Sequence, residues 1–347
     1  MPNRVTAFAP GRVNLIGERT DYNQGLALPF AISEGVTVRA EAISGDRVEA
    51  VAADLNKRDD FELAQPPPAR GWRAFVRGAV AELQRAGLPI RAVRVRISGD
   101  VPRGGGLSSS AALEVALTLA LIALTDAPEP DRIELAKICS KIENDWVGAQ
   151  TGLLDQLASL LGEDDHALRI DFRSLEITPV ILELGDYKLV TLHSGDQHSN
   201  AASGYNERRR ECALASEKLG VPSLREATLE AAAALPPPLD RRAAHIITEN
   251  QRVDAAVSAL ERREMVELGR LLDASHASLR DCYEISTPAV ERAIEKLHEA
   301  GALGARIIGG GFGGHVLGLM PPGARLPEGA HEVRPGPGAR VMDRTVH

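Results

Sequence analysis

Apolar positions along the chain recur in two periods, and each predicts a set of elements. Val5-Thr6-Ala7-Phe8-Ala9 alternates as a short strand ending at Pro10-Gly11. Leu26–Ile32 and Val36-Thr37-Val38-Arg39-Ala40 continue as strands, with Glu34-Gly35 as the turn between them. Val48-Glu49-Ala50-Val51 and Phe61-Glu62-Leu63 are further strand candidates, closed by Pro66-Pro67-Pro68. The period then lengthens. Trp72, Phe75, Val76, Ala79, Val80 and Leu83 fall on one face of a helix over roughly Gly71–Arg85. Val93-Arg94-Val95-Arg96-Ile97 returns to strict alternation, and good helix formers begin at Ala112. A second helix follows Asp131, with Leu135, Ile138, Cys139, Ile142 and Trp146 on one face.

A change of lobe is expected near Asp171-Phe172, followed by a strand at Lys188–Leu192. Helices then run to about Gly301, interrupted by Pro236-Pro237-Pro238 and Pro288. Two last strands, Ala305–Ile308 and His315–Leu319, flank a glycine cluster, and no internal repeat is evident.

The junction at Gly104-Gly105-Gly106-Leu107-Ser108-Ser109-Ser110-Ala111-Ala112 carries the first chemistry. Three glycines allow close backbone approach, and one of the serines is expected to cap the helix that follows. A Gly-rich turn feeding a helix start directs free N–H groups at one spot, which suits phosphate. The chain has no Walker loop, no H-R-D or D-F-G element and no Rossmann spacing.

Three more segments concentrate reactive groups. Pro10–Asn23 packs Arg12, Glu18, Arg19 and Asp21 between strands: carboxylates that could accept from sugar hydroxyls and an arginine that could meet a phosphoryl group. Asp155 lies twelve residues after Glu143, giving one carboxylate to align a hydroxyl and a second for Mg²⁺. Gly304–Gly314 has five glycines around Phe312 in its second half, more than a plain hairpin needs.

Composition narrows the setting. At 347 residues there is chain enough for two domains. With aromatics at only 3%, the core must be built from Ala, Val, Leu and Ile. A net charge of -8 argues against general nucleic-acid binding, and Glu207-Arg208-Arg209-Arg210-Glu211 reads as a solvated helix face. Three widely spaced cysteines form no zinc or CxxC pattern and point to a reducing compartment. The start of the chain lacks a signal-peptide core, and the most apolar window, Ala111–Thr125, is too short for a membrane span. A cytoplasmic protein without a membrane partner is expected.

These segments resemble a known family. The pattern P-x-G-G-G-L-S-S-S-A-A is similar to the nucleotide loop of the GHMP small-molecule kinases. Gly11–Asn23 resembles the galactokinase signature G-R-V-N-L-I-G-E-H-T-D-Y-N, differing only at Arg19, where the family has His. The segment from Glu143 to Gln156 looks like the family's E-x-D-W-V-G-x-x-x-G-L-L-D-Q. Ser203–Cys212 is similar to S-x-Y-x-x-R-R-R-x-C, and Gly304–His315 to G-S-R-M-T-G-G-G-F-G-G-C, with Ile308 and His315 replacing Thr and Cys. His315 reads as a strand residue rather than a catalyst.

The resemblance implies a two-lobed α+β GHMP kinase fold, residues 1–175 forming a ribosomal-protein-S5-like lobe and 176–347 an α/β sandwich. It implies transfer of the γ-phosphate of ATP, with Mg²⁺, to the C1 hydroxyl of α-D-galactose. By position, Asp155 becomes the base and Arg12 its partner. Glu18, Arg19, Asp21, Gly152 and Tyr205 fall at the sugar. Gly104, Gly105, Gly106, Leu107, Ser108, Ser109 and Ser110 fall at ATP, and Ser110 and Glu143 at the metal. A monomer is expected. Arg19 leaves open a kinase for another sugar (arabinose, an N-acetylhexosamine or a uronic acid). A non-catalytic galactose sensor is disfavoured, because Ser108–Ala112, Arg12 and Asp155 are all in place.

Overall fold

The computed structural model describes residues 2–102, 105–125, 127–196 and 201–345, the side chains of 201–203 excepted. Among them the strands in chain order are β1 (Arg4–Asn14), β2 (Leu26–Ala27), β3 (Pro29–Ala42), β4 (Arg47–Ala52), β5 (Lys57–Glu62) and β6 (Val93–Gly99). Then come β7 (His166–Asp171), β8 (Glu176–Ile181), β9 (Lys188–His193), β10 (Gly304–Ile307), β11 (His315–Met320), β12 (Ala330–Val333) and β13 (Arg340–Thr345). They form a six-stranded sheet in the order β13-β1-β3-β6-β4-β5, a four-stranded sheet β10-β11-β9-β12 and a three-stranded sheet β2-β7-β8. The pairings are antiparallel except β4 with β6.

Two expected breaks do not occur. β1 runs through Pro10-Gly11, and β3 runs through Glu34-Gly35. Pro10 pairs with Gly35, and the register shifts between Pro10 and Arg12, so both strands bend at a bulge instead of ending. The glycines there serve close approach. A Cβ on Gly35 would lie 2.4 Å from Ala9 O and from the Phe8 ring, and one on Gly11 would lie 2.6 Å from Leu107 O. Locally, such residues cannot be told from turn formers.

Four helices pack with the first sheet in two layers: α2 (Ser109–Ala123) and α4 (Leu154–Leu161) lie on it, and α1 (Trp72–Arg85) and α3 (Arg132–Lys141) pack on α2. Asp131 starts α3, its side chain accepting from Ile133 N–H and Glu134 N–H at 3.0 Å each. α2 is apolar on nearly every face and is therefore buried along its length, against β1, β3 and the other three helices. The helix expected to reach Trp146 changes pitch: α3 ends at Lys141 and a π-helical turn spans Ile142–Val147. The wider turn lets Trp146 and Ile142 close on Gly78 of α1, where a Cβ would lie 2.8 Å and 2.9 Å from them.

The later helices are α5 (Ala201–Leu219), α6 (Leu229–Ala233), α7 (Leu239–Glu261), α8 (Met265–Asp281) and α9 (Pro288–Glu299). α8 and α9 pack on β10 and the second sheet, and α7 lies along α8. One core joins the early and late parts of the chain: Val13, Leu15, Ile16 and Phe30 meet Val253, Leu268, Leu272, Ile308 and Leu317. Each such side chain contributes roughly 1.5–3 kcal/mol, so the loop after β1 is anchored at its root. The last strand crosses back as well. β13 pairs with β1, placing residues 340–345 in the sheet of the first half although they fall within the second of the two segments expected from sequence.

Candidate active site

β1 delivers Arg12 into a cavity of 130 Å³ whose lining also includes Glu18, Arg19, Asp21, Thr151, Gly152, Asp155, Tyr205, Gly309 and Gly310. Segments as much as three hundred residues apart therefore converge here. Arg12 is only 5% exposed, and each nitrogen of its guanidinium has a partner. Nε donates to Asp155 Oδ1 at 2.8 Å, Nη2 lies 2.5 Å from the same oxygen, and Nη1 donates to Gly106 O at 2.5 Å. Asp155 sits in the first turn of α4, and Ser108 Oγ donates to its Oδ2.

That last bond corrects the expectation of a serine cap. Ser108 stands at the head of α2 with φ 59, but its side chain turns to Asp155 and caps nothing. Among the described residues the first N–H groups of α2 thus have no side-chain acceptor, the arrangement that favours an anion at a helix start.

Behind Asp155 two further carboxylates are buried. Glu143, in the π-helical turn, accepts at Oε2 from Thr151 Oγ1 at 2.8 Å and Gln156 Nε2 at 3.2 Å, while no donor among the described residues reaches Oε1. Burial, then the charge of Asp155, pushes Glu143 up to about 7. Glu114 of α2 accepts from Gln156 Nε2 at 3.1 Å, and burial beside Glu143 raises it well above its ordinary range. Ser110 lies one helical turn before Glu114 and lines a separate cavity of 220 Å³ with Trp72, Phe75, Leu55 and Leu113. Neither Glu114 nor this apolar cavity was anticipated. Trp72 and Phe75 read simply as core.

On the other side of Arg12, Asp21 presses on Gly152: a Cβ there would lie 2.0 Å from Asp21 Oδ2. Burial, then Asp155, pushes Asp21 up to about 6. Glu18 Oε1 accepts from Gly309 N–H at 3.1 Å and pairs with Arg306 at 3.1 Å. Arg19 has a left-handed backbone, φ 71, and a buried guanidinium 4.2 Å over the Tyr205 ring. Its Nη2 donates to Gly310 O, whereas Nε and Nη1 have no partner among the described residues. Tyr205 meets Tyr22 edge-on at 5.6 Å. Gly104 lies outside the described residues.

The loop bearing Glu18 and Asp21 is held from behind by α7. Glu249 Oε1 accepts from Gly17 N–H at 3.0 Å, Glu18 N–H at 3.3 Å and Ser275 Oγ at 2.7 Å. His245 Nε2 bonds Glu18 O at 3.1 Å, and Asn250 Oδ1 accepts from Leu26 N–H at 2.7 Å. Arg306 Nη1 donates to both Asn14 O and Leu15 O at 2.9 Å. Sequence reasoning missed this set, Arg306 lying inside the Gly304–Gly314 string without a role. Its signal was present: His245, Glu249 and Val253 share one stripe of α7, and polar residues on a buried stripe need partners.

Family models match three parts of the chain: GHMP kinases N terminal domain over residues 74–163, galactokinase galactose-binding signature over 2–41 and GHMP kinases C terminal over 256–335. The galactokinase of Actinobacillus succinogenes is 41% identical over 330 residues, covering 91% of this chain and 85% of the relative. The chain belongs to the galactokinase family. The Mycobacterium tuberculosis galactokinase is 42% identical over 325 residues, covering 91% of the chain and 89% of the relative. The crystal structure of Lactococcus lactis galactokinase complexed with galactose superposes with a TM-score of 0.89 at 31% identity, covering 98% and 95%. The mevalonate kinase of Methanococcus jannaschii, at 18% identity and a TM-score of 0.68, shares the α+β GHMP fold. As a family member the chain is an enzyme, a sugar kinase. Among the described residues no helix is long and apolar enough to cross a membrane.

Proposed function

We propose that this enzyme transfers the γ-phosphate of ATP to the C1 hydroxyl of α-D-galactose, giving α-D-galactose 1-phosphate and ADP. The observation that carries the reading is the Asp155 carboxylate. Arg12 occupies Oδ1, and Ser108 takes only one of the two lone pairs of Oδ2. Acceptor capacity therefore remains on Oδ2, and Asp155 lines the cavity together with Glu18, Asp21 and Gly152. There Asp155 accepts the hydroxyl proton as the new P–O bond forms, and Arg12 stands beside the charge that develops. Glu18 and Asp21 accept from sugar hydroxyls, and Tyr205 walls the sugar.

ATP fits on the opposite side of Arg12, with phosphates at Gly105–Ser110 and the base in the apolar cavity lined by Trp72 and Phe75. Among the described residues no three His, Cys, Asp or Glu side chains gather to hold a metal by themselves. A cation shared with phosphates needs fewer protein ligands. The donor set fits Mg²⁺: Glu143 keeps Oε1 open within a group of crowded carboxylates, and Ser110 would add a hydroxyl. Held there by Glu143 and Ser110, Mg²⁺ would supply positive charge against the phosphates.

The test is ADP release with MgATP and galactose, 2-deoxygalactose, N-acetylgalactosamine, arabinose, galacturonate and glucose. Galactose should be preferred. If galactose is inert and another sugar turns over, Arg19 selects that sugar. This second reading rests on the buried Nε and Nη1 of Arg19, which have no partner among the described residues and carry three N–H donors with a permanent charge, more than a histidine can offer. Asp155→Asn should bind ATP normally yet lose at least ~10²-fold in kcat. Near-normal turnover would remove Asp155 from the base role. A cytoplasmic monomer suits this reading, with all three cysteines free.

A further inference from the structure

The nucleotide loop is held at two successive carbonyls, and one of the holding residues was expected to be inert. Gly105 O accepts from the His315 backbone N–H at 3.0 Å and bonds His315 Nδ1 at 2.6 Å. Because the partner is a carbonyl, Nδ1 carries the proton. The next carbonyl, Gly106 O, accepts from Arg12. The imidazole is seated on the loop itself: a Cβ on Gly105 would lie 2.3 Å from its Cε1 and Nδ1. The ring is 5% exposed, and His193 closes on it edge-on at 4.9 Å, so its rotamer is fixed by packing.

In a trans peptide the C=O and the following N–H point in opposite directions. Turning Gly105 O onto His315 therefore turns Gly106 N–H away from β11. Turning Gly106 O onto Arg12 likewise frees Leu107 N–H. Neither of these N–H groups has a hydrogen-bond acceptor among the described residues, although Leu107 is buried. Buried N–H groups without partners are rare and call for a ligand. The half-buried Gly106 N–H and the Leu107 N–H, free in consecutive residues beside a helix start, make an anion cradle.

We propose that His315 is a positioning residue for the nucleotide. Through the Gly105 carbonyl it holds the Gly105–Gly106 peptide plane in the orientation that offers Gly106 N–H to a phosphate oxygen. The inference rests on the reading of Gly105–Ser110 as the nucleotide loop. It goes beyond that reading, because it assigns the loop's conformation to a side chain on β11, in the other half of the molecule.

The experiment compares wild type, His315→Phe and His315→Asn by calorimetric titration with MgATP and with galactose, alongside KM values and thermal melts. Phe keeps a ring against His193 and removes the donor. Asn places an N–H close to where Nδ1 stands. His315→Phe should weaken MgATP binding and raise KM for ATP roughly fivefold to tenfold, the equivalent of one lost hydrogen bond, with galactose affinity unchanged. His315→Asn should recover most of that loss. Unchanged ATP affinity in His315→Phe overturns the proposal. So does an equal weakening of ATP and galactose with a lowered melting temperature, or a failure of Asn to do better than Phe. If wild type binds MgATP but turns over no sugar, the galactokinase reading falls while the titrations still decide the role of His315. If wild type does not bind MgATP, both fall.

Discussion

Gly152 touches both the sequence motif and the cavity, and it has no space for even a methyl group. A Cβ would lie 2.0 Å from Asp21 Oδ2, far inside any contact real atoms make. Gly152→Ala should therefore displace Asp21 and raise KM for galactose at least ~10-fold, the scale of one misplaced polar contact in a buried site. KM for ATP should change little. Steady-state kinetics with each substrate varied in turn checks this, and equal effects on the two would contradict it. At this scale much of the cavity could be read from the chain, because Arg12, Glu18, Asp21, Gly152, Asp155 and Tyr205 all lie in recognisable strings. The partners of those residues could not. Ser108 looks like a helix cap until Asp155 is found beside it, and His315 looks like any strand position until Gly105 is found beneath it.

Among the elements, helices were read best, because a 3.6-residue stripe is a local property. α1 was expected over Gly71–Arg85 and runs from Trp72 to Arg85. β1 and β3 were cut short because their glycines answer to distant neighbours, Leu107 for Gly11 and Phe8 for Gly35. α7 gives the sharpest test at this scale. Burial pushes Glu249 up, but Arg252, His245 and Arg306 overcome it and bring the carboxyl down to about 2. A carboxyl with a depressed folded pKa adds stability above its unfolded pKa, and that stability is lost as pH falls towards the folded value. Glu249→Gln should thus cost about 3 kcal/mol at pH 7. The gap to wild type should close as pH falls from about 4.5 to about 2. Thermal melts of both proteins across that range check it, and a gap independent of pH would refute the electrostatic role. His245, which burial lowers to about 4, acts in the same direction at higher pH: the fold must keep it neutral, so its stability is lost as pH falls from about 6.5 to 4.

At the scale of the molecule, the early and late parts of the chain interlock. A shared core ties Val13 and Phe30 to Leu268 and Leu317, and β13 completes the first sheet against β1. The tail was not read as structure, since Pro335, Gly336, Pro337 and Gly338 look like a loop and β13 is half exposed. Removing residues 339–347 should lower Tm by roughly 5–10 °C and expose the β1 edge from Arg4 to Phe8 to association. Melting and light scattering of the shortened chain measure both, and an unchanged Tm would mean the strand is dispensable.

That returning strand also sets a clock. The ribosome makes β13 about 330 residues after β1, a delay of roughly 15–60 s at ordinary rates of synthesis. For that interval the nascent sheet has an open flank where Arg340–Thr345 will eventually bind. Folding of the first half during translation must either wait for β13 or be shielded until it arrives.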